Sequence, residues 1–121
     1  MDNDIRFKAQ RYLYLEMLNT LSEGRPDRFV SFLAMQAQLG WDNKTRKRVE
    51  EFLQQEGFID FPLYGRVAIT LDGTSALERA HRKPKRSTLY FPPVQKVIVQ
   101  DDGAVTFRGE WIGKMSVIYG K

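Results

Sequence analysis

Between Asp42 and Ala80 the chain reads DNKTRKRVEEFLQQEGFIDFPLYGRVAITLDGTSALERA, and this stretch sets the frame for everything around it. Its pattern predicts a basic helix, a short strand, a loop, a return strand and a closing helix. Asp42 or Asn43 caps the first of these helices, which runs to about Glu56, where Gly57 stops it. Val49, Phe52 and Leu53 fall on one side at helical spacing, with Thr45 and Glu56 at its margins. Lys44, Lys47, Arg48, Glu51 and Gln55 fall on the other. Arg46–Glu50 and Lys47–Glu51 are four residues apart and can pair. The positive charge is concentrated in the first two turns. GFIDF and VAIT read as strands about the loop PLYGR, punctuated by Pro62 and Gly65. Thr70 or Asp72 then caps a helix from about Gly73 to His81.

The preceding segment supplies support. Arg6 to Ser22 predicts a long amphipathic helix, with Phe7, Leu13, Met17, Leu18 and Leu21 on its apolar side. Asp2 to Asp4 offer caps, and Gly24 and Pro26 end it. Asp27 is placed to cap a second helix, Arg28 to Leu39, whose broad apolar set predicts burial. No strand is expected between these two helices. Gly40 ends the second, and Trp41 is placed to plug the corner that follows.

After the fourth helix comes RKPKR, Arg82 to Arg86, favoured here as a solvated linker over a track for phosphates. The chain then turns to period-two alternation, which predicts three strands. Val97 and Val99 share one face, as do Val105 and Phe107, and then Met115, Val117 and Tyr119. Asp102-Gly103 marks one turn, and GEWIG is expected to form the second. Such a meander cannot bury its apolar face alone. It must pack on the helices or on another copy.

The fold class expected is therefore α+β: a helical domain over 1–86 and a C-terminal antiparallel β-meander over 87–121. With no cysteine there is no disulfide, thiolate metal site or cysteine nucleophile, and His81 is the single histidine. No apolar run approaches the roughly 18 residues of a membrane span. The N-terminus has no apolar signal region, so a cytoplasmic chain is expected. Asp101-Asp102 reads as a turn, and no serine has a nucleophile's context. No catalytic residue, cofactor or metal is expected, and the glycines at 109, 113 and 120 read as turn and bulge positions.

FLQQEGFI at 52–59 and ITLDGTSALE at 69–78 carry a resemblance. In this order and spacing the chain resembles a winged helix-turn-helix, broadly like small MarR- or PadR-type transcriptional regulators, over roughly residues 6–82. The resemblance implies double-stranded DNA as partner, with the third helix as reader. Lys44, Thr45, Lys47 and Arg48 then lie where base edges are contacted, and Arg66 lies at the wing. The plain alternative is that Lys44 to Arg48 only solvate a helix. A different class of function, a winged-helix protein–protein module working through the β-meander, stays open. Glu50, Glu51 and Glu56 make the helix less positive than a dedicated DNA reader needs. Either reading expects a homodimer, through the meander's apolar face and the aromatic first helix.

Overall fold

The computed structural model describes residues 2–115, and the side chains of residues 5–115. Helix α1 (Asp2–Ser22) is followed by strand β1 (Val30–Ser31), helices α2 (Phe32–Leu39) and α3 (Asn43–Gln55), strands β2 (Ile59–Asp60) and β3 (Arg66–Ile69), and helix α4 (Leu71–Arg82). A 3₁₀ turn at Val94–Lys96 then leads into β4 (Val97–Val99), β5 (Ala104–Phe107) and β6 (Glu110–Lys114). The chain is thus α+β, with two small antiparallel sheets of order β1-β3-β2 and β4-β5-β6.

Helix α1 is the centre rather than a surface helix with one apolar side. Every residue from Ala9 to Leu15 is buried, Gln10 and Arg11 included. The cause is that α3, α4 and β3 pack on part of its circumference and β6 on another. Arg11 is partnered in place. The Arg11 guanidinium donates to the Tyr90 carbonyl at 2.8 Å and lies 3.8 Å from the centre of the Phe52 ring. The stem of such an arginine fills apolar space while its guanidinium packs on a ring face.

The second helix is shorter than its apolar count predicts. Val30 and Ser31 leave the helical path to pair with Val67 and Arg66 of β3. A β-branched residue facing a ready strand edge gains ladder hydrogen bonds that a first helical turn does not supply. Ser31, not Asp27, caps α2, its Oγ accepting from the Ala34 N–H at 3.2 Å. Asp27 is used instead by Arg25, which donates to it twice at 3.2 Å. Helix α4 starts two residues earlier than expected, at Leu71. Thr70 fixes that start, its Oγ accepting from Gly73 N–H at 3.0 Å and donating to the Gly57 carbonyl at 2.6 Å. One hydroxyl thereby ties the end of α3 to the start of α4.

The meander's phase also differs. Its second turn is Arg108-Gly109, both at positive φ, a two-residue connection between Phe107 and its partner Glu110. All of GEWIG but Gly109 is therefore strand, within β6, and the extra residue Ile112 makes a bulge where the register shifts. Val117 and Tyr119 lie outside the described residues. Gly109 is a turn glycine as expected; Gly113 serves close approach, since a Cβ there would sit 2.6 Å from Leu13 and 3.1 Å from Trp41.

The sheet lies face-down on the chain's own helices. Phe91, Val105, Phe107, Ile112 and Met115 join Leu13, Leu39 and Trp41 in one continuous core. Trp41 is buried and donates its indole N–H to the Ile112 carbonyl at 2.7 Å. Val105, Phe107 and Met115 of the expected apolar face are buried in that core, while Val97 is half-buried and Val99 stays exposed.

Candidate functional site

The site begins with the seating of α3. Its Asp42 cap accepts from Thr45 N–H at 2.8 Å, and that hydrogen bond holds the Asp42 carboxyl below its usual range. Val49 and Leu53 are fully buried, as the spacing predicts. Two charged residues are buried with them. Arg46 and Glu50 are about one-twentieth exposed and form an ion pair at 2.6 Å. Arg46 also donates to the Gln36 side-chain oxygen at 2.6 Å, and its guanidinium lies 4.4 Å from the Phe32 ring centre. The Tyr14 hydroxyl donates to the other Glu50 oxygen at 2.6 Å. Burial pushes the Glu50 carboxyl upward, opposed by Tyr14 and Arg46. Burial and the neighbouring Glu50 carboxylate hold the Tyr14 phenol well above its ordinary value.

This network fixes the rotation of α3. With Arg46 and Glu50 turned inward toward α1 and α2, helical spacing turns Lys44, Lys47 and Arg48 outward. All three are exposed, at i, i+3 and i+4 on one face. Thr45 is only half-exposed and sits at the edge of that face. Glu51 shares it, and no ion pair joins Glu51 to Lys47 among the described residues. Arg48 is turned toward the N-terminal half of α1, its guanidinium 4.1 Å from the Phe7 ring centre. Arg66 is exposed on a different element, at the start of β3 opposite Ser31. No hydrogen bond or ion pair ties it to α3 among the described residues.

The hairpin tip shows what composition did not reveal. Leu63 is 60% exposed and Tyr64 is fully exposed, so the tip is apolar and aromatic, with its cation at the base. PLYGR signals a loop, but nothing in five residues states which side chains have no neighbour. Arg46 and Glu50 were legible as a pair by their spacing; their burial depends on Tyr14, in another helix.

No family model matches the chain, and no curated protein or solved structure matches it. Function must therefore be argued from this geometry.

The described residues contain no cluster of three or more His, Asp or Glu that could hold a metal ion. His81 Nε2 lies 3.0 Å from the Tyr12 hydroxyl and 3.4 Å from a Glu16 oxygen, joining α4 to α1. Burial raises the Glu16 carboxyl, and His81 opposes that. Asp102 accepts from Ala104 N–H at 3.0 Å, a turn-forming contact. No helix among the described residues is long and apolar enough to cross a membrane.

Proposed function

We propose that this chain is a winged helix-turn-helix protein that binds double-stranded DNA, with α3 as its reader and the β2–β3 hairpin as its wing. A small cytoplasmic transcriptional regulator is the biological role that fits. The element order α1-β1-α2-α3-β2-β3 and the sheet order β1-β3-β2 support the reading. The observation that carries it is the inward-facing Arg46–Glu50–Tyr14 network, which leaves Lys44, Lys47 and Arg48 on one solvent face. A helix of 13 residues is about 20 Å long and fits a B-DNA major groove about 12 Å wide. Lysine and arginine at its N-terminal half reach phosphates or guanine edges there. Arg66 at the hairpin base reaches a flanking phosphate.

Fluorescence anisotropy with labelled duplex DNA tests this reading. Micromolar or tighter binding at low salt, weakening steeply as salt rises, is expected. Binding that ignores salt contradicts it. A protein–protein module is the second reading, and exposed Leu63 and Tyr64 favour it. That module would work through the hairpin tip or through the C-terminal β-meander. At the tip, Tyr64→Ser abolishes capture of a protein partner and leaves duplex affinity unchanged. A homodimer through the meander is part of either reading, and Ile98, half-exposed along β4, offers one apolar contact for it.

A further inference from the structure

Most of the charge that makes this protein basic lies off α3. Residues 79–100 hold six of the 19 Lys and Arg residues and none of the 15 Asp and Glu residues. The other positions hold 13 cations and 15 anions, a net negative remainder in a chain of net charge +4. The whole positive excess lies in the last turn of α4, the connection after it and the start of β4.

That connection is built into the fold. Pro84 accepts from Gln95 N–H at 2.9 Å, Arg86 N–H donates to Lys83 at 3.0 Å, and Lys8 donates to Thr88 at 3.3 Å. The first closes the connection onto the 3₁₀ turn before β4, the second tightens its start, and the third ties it to α1. It forms grooves of about 500 Å³. One is lined by Arg79, Arg82, Lys83, Arg86, Ser87 and Thr88. Next to it a second, of about 580 Å³, is lined on its charged sides by Lys85, Lys96 and Arg108. Every one of these cations is exposed. None has an ion-pair partner among the described residues.

The ordinary roles of surface cations account for only part of this. Arg79 and Arg82 complement the negative end of α4. That effect fades within a turn and does not reach Lys85, Arg86, Lys96 or Arg108. Solvation alone does not explain why no carboxylate is interspersed. Arg108 adds an independent sign. It has a φ of 56° in a two-residue hairpin turn, a position that glycine, asparagine or aspartate fills at lower cost. Arg108 contributes to the groove's lining, and its guanidinium lies 5.6 Å from the centre of the Phe107 ring.

We propose that this cationic arc is a second nucleic-acid surface, which grips the sugar–phosphate backbone without reading sequence. The partner is the same duplex that α3 contacts, so the proposal rests on the DNA-binding reading for its ligand. Two contacts link the arc to α3. Tyr90, just beyond Thr88, packs edge-on against Phe52 of α3 with ring centres 6.5 Å apart. Lys8, which holds Thr88, follows Phe7, the ring beneath Arg48. The serine and threonine hydroxyls of the groove are added donors to phosphate oxygens.

The test compares the salt dependence of duplex binding for three full-length proteins: wild type, R82Q/K83Q/R86Q and K47E/R48E. Two duplexes of unrelated sequence are titrated from about 50 to 200 mM salt, and circular dichroism confirms that each variant is folded. Each lost phosphate contact lowers the slope of log affinity against log salt by about 0.9. The arc variant is therefore expected to lose roughly 2 to 3 units of slope, equally on both duplexes. An unchanged slope in the arc variant, with K47E/R48E impaired, overturns the arc and leaves the α3 reading standing. The reverse result, with K47E/R48E binding like wild type and the arc variant not binding, supports the arc and overturns α3. Absence of duplex binding by wild type at the lowest salt overturns both. So does exclusive binding to vesicles of phosphatidylserine and phosphatidylcholine, which would make the arc a membrane-surface contact.

Discussion

Replacing Glu50 with glutamine keeps the volume of the side chain and removes its charge. In the folded protein Arg46 then stays buried, with side-chain exposure of 6%, and faces no anion. It keeps the Gln36 oxygen at 2.6 Å and the Phe32 ring, so part of its solvation is retained. Breaking a buried ion pair from one side costs about 3–5 kcal/mol, and the retained partners place Glu50→Gln near the lower end, at about 3. For a chain of this size that is on the order of 10 °C in Tm. Removing both charges has a different outcome. Arg46→Met with Glu50→Leu leaves no buried charge, and such replacements are neutral or stabilising by about 1–4 kcal/mol, less about 1 for the Tyr14 hydroxyl left without its acceptor. Urea denaturation of the wild type, both single variants and the double variant closes the cycle. Single-variant losses below about 1 kcal/mol would refute the reasoning, because they are the cost of a pair in water rather than one shut between α1, α2 and α3.

Two further outcomes follow from packing and titration. Gly113→Ala puts a methyl group 2.6 Å from Leu13 and beside the Trp41 indole. A loss of about 1–3 kcal/mol in urea denaturation is expected, whereas Gly109→Ala should cost only the strain of a positive φ, since nothing lies within 4 Å of its Cβ position. Glu16 has a carboxyl raised mainly by burial, so the folded state holds its proton to higher pH than the unfolded state does. Its contribution to stability is complete below the ordinary carboxyl range and is lost as pH rises through the raised value. Glu16→Gln should flatten that part of the Tm profile above the ordinary carboxyl range, while an unchanged profile would show that Glu16 is solvated.

Sequence patterning exposed the elements that depend on neighbours close in the chain. The cap, the core side and the end of α3 are written in DNKTRKRVEEFLQQEGF, and the strands about PLYGR are bounded by their own turn residues. Elements decided by distant partners were not visible. Val30 and Ser31 are helical by apolar count and become strand only because β3 offers an edge. The phase of β6 turns on Arg108-Gly109, where arginine adopts a backbone conformation its type does not announce. Arg46 and Glu50 look like a surface pair until Tyr14 closes over them. Candidate site residues divide the same way. Lys44, Lys47 and Arg48 share a face by helical spacing alone, whereas the position of Arg66 relative to them is a matter of tertiary placement. The cationic run at Arg82–Arg86 read as linker because sequence cannot show that Pro84 and Thr88 are pinned to other elements.

In the proposed complex, α3 presents Lys47 and Arg48 to duplex DNA. The most direct measurement is the affinity of K47E/R48E for a duplex that the wild type binds, at a single low salt concentration. Both side chains are exposed, so the variant should keep the wild-type circular dichroism spectrum. Loss of binding by at least about a hundredfold is predicted, two charge reversals at phosphate or base contacts being worth at least about 3 kcal/mol together. A folded K47E/R48E protein that binds the duplex as tightly as the wild type would contradict the assignment of α3 as the reading helix.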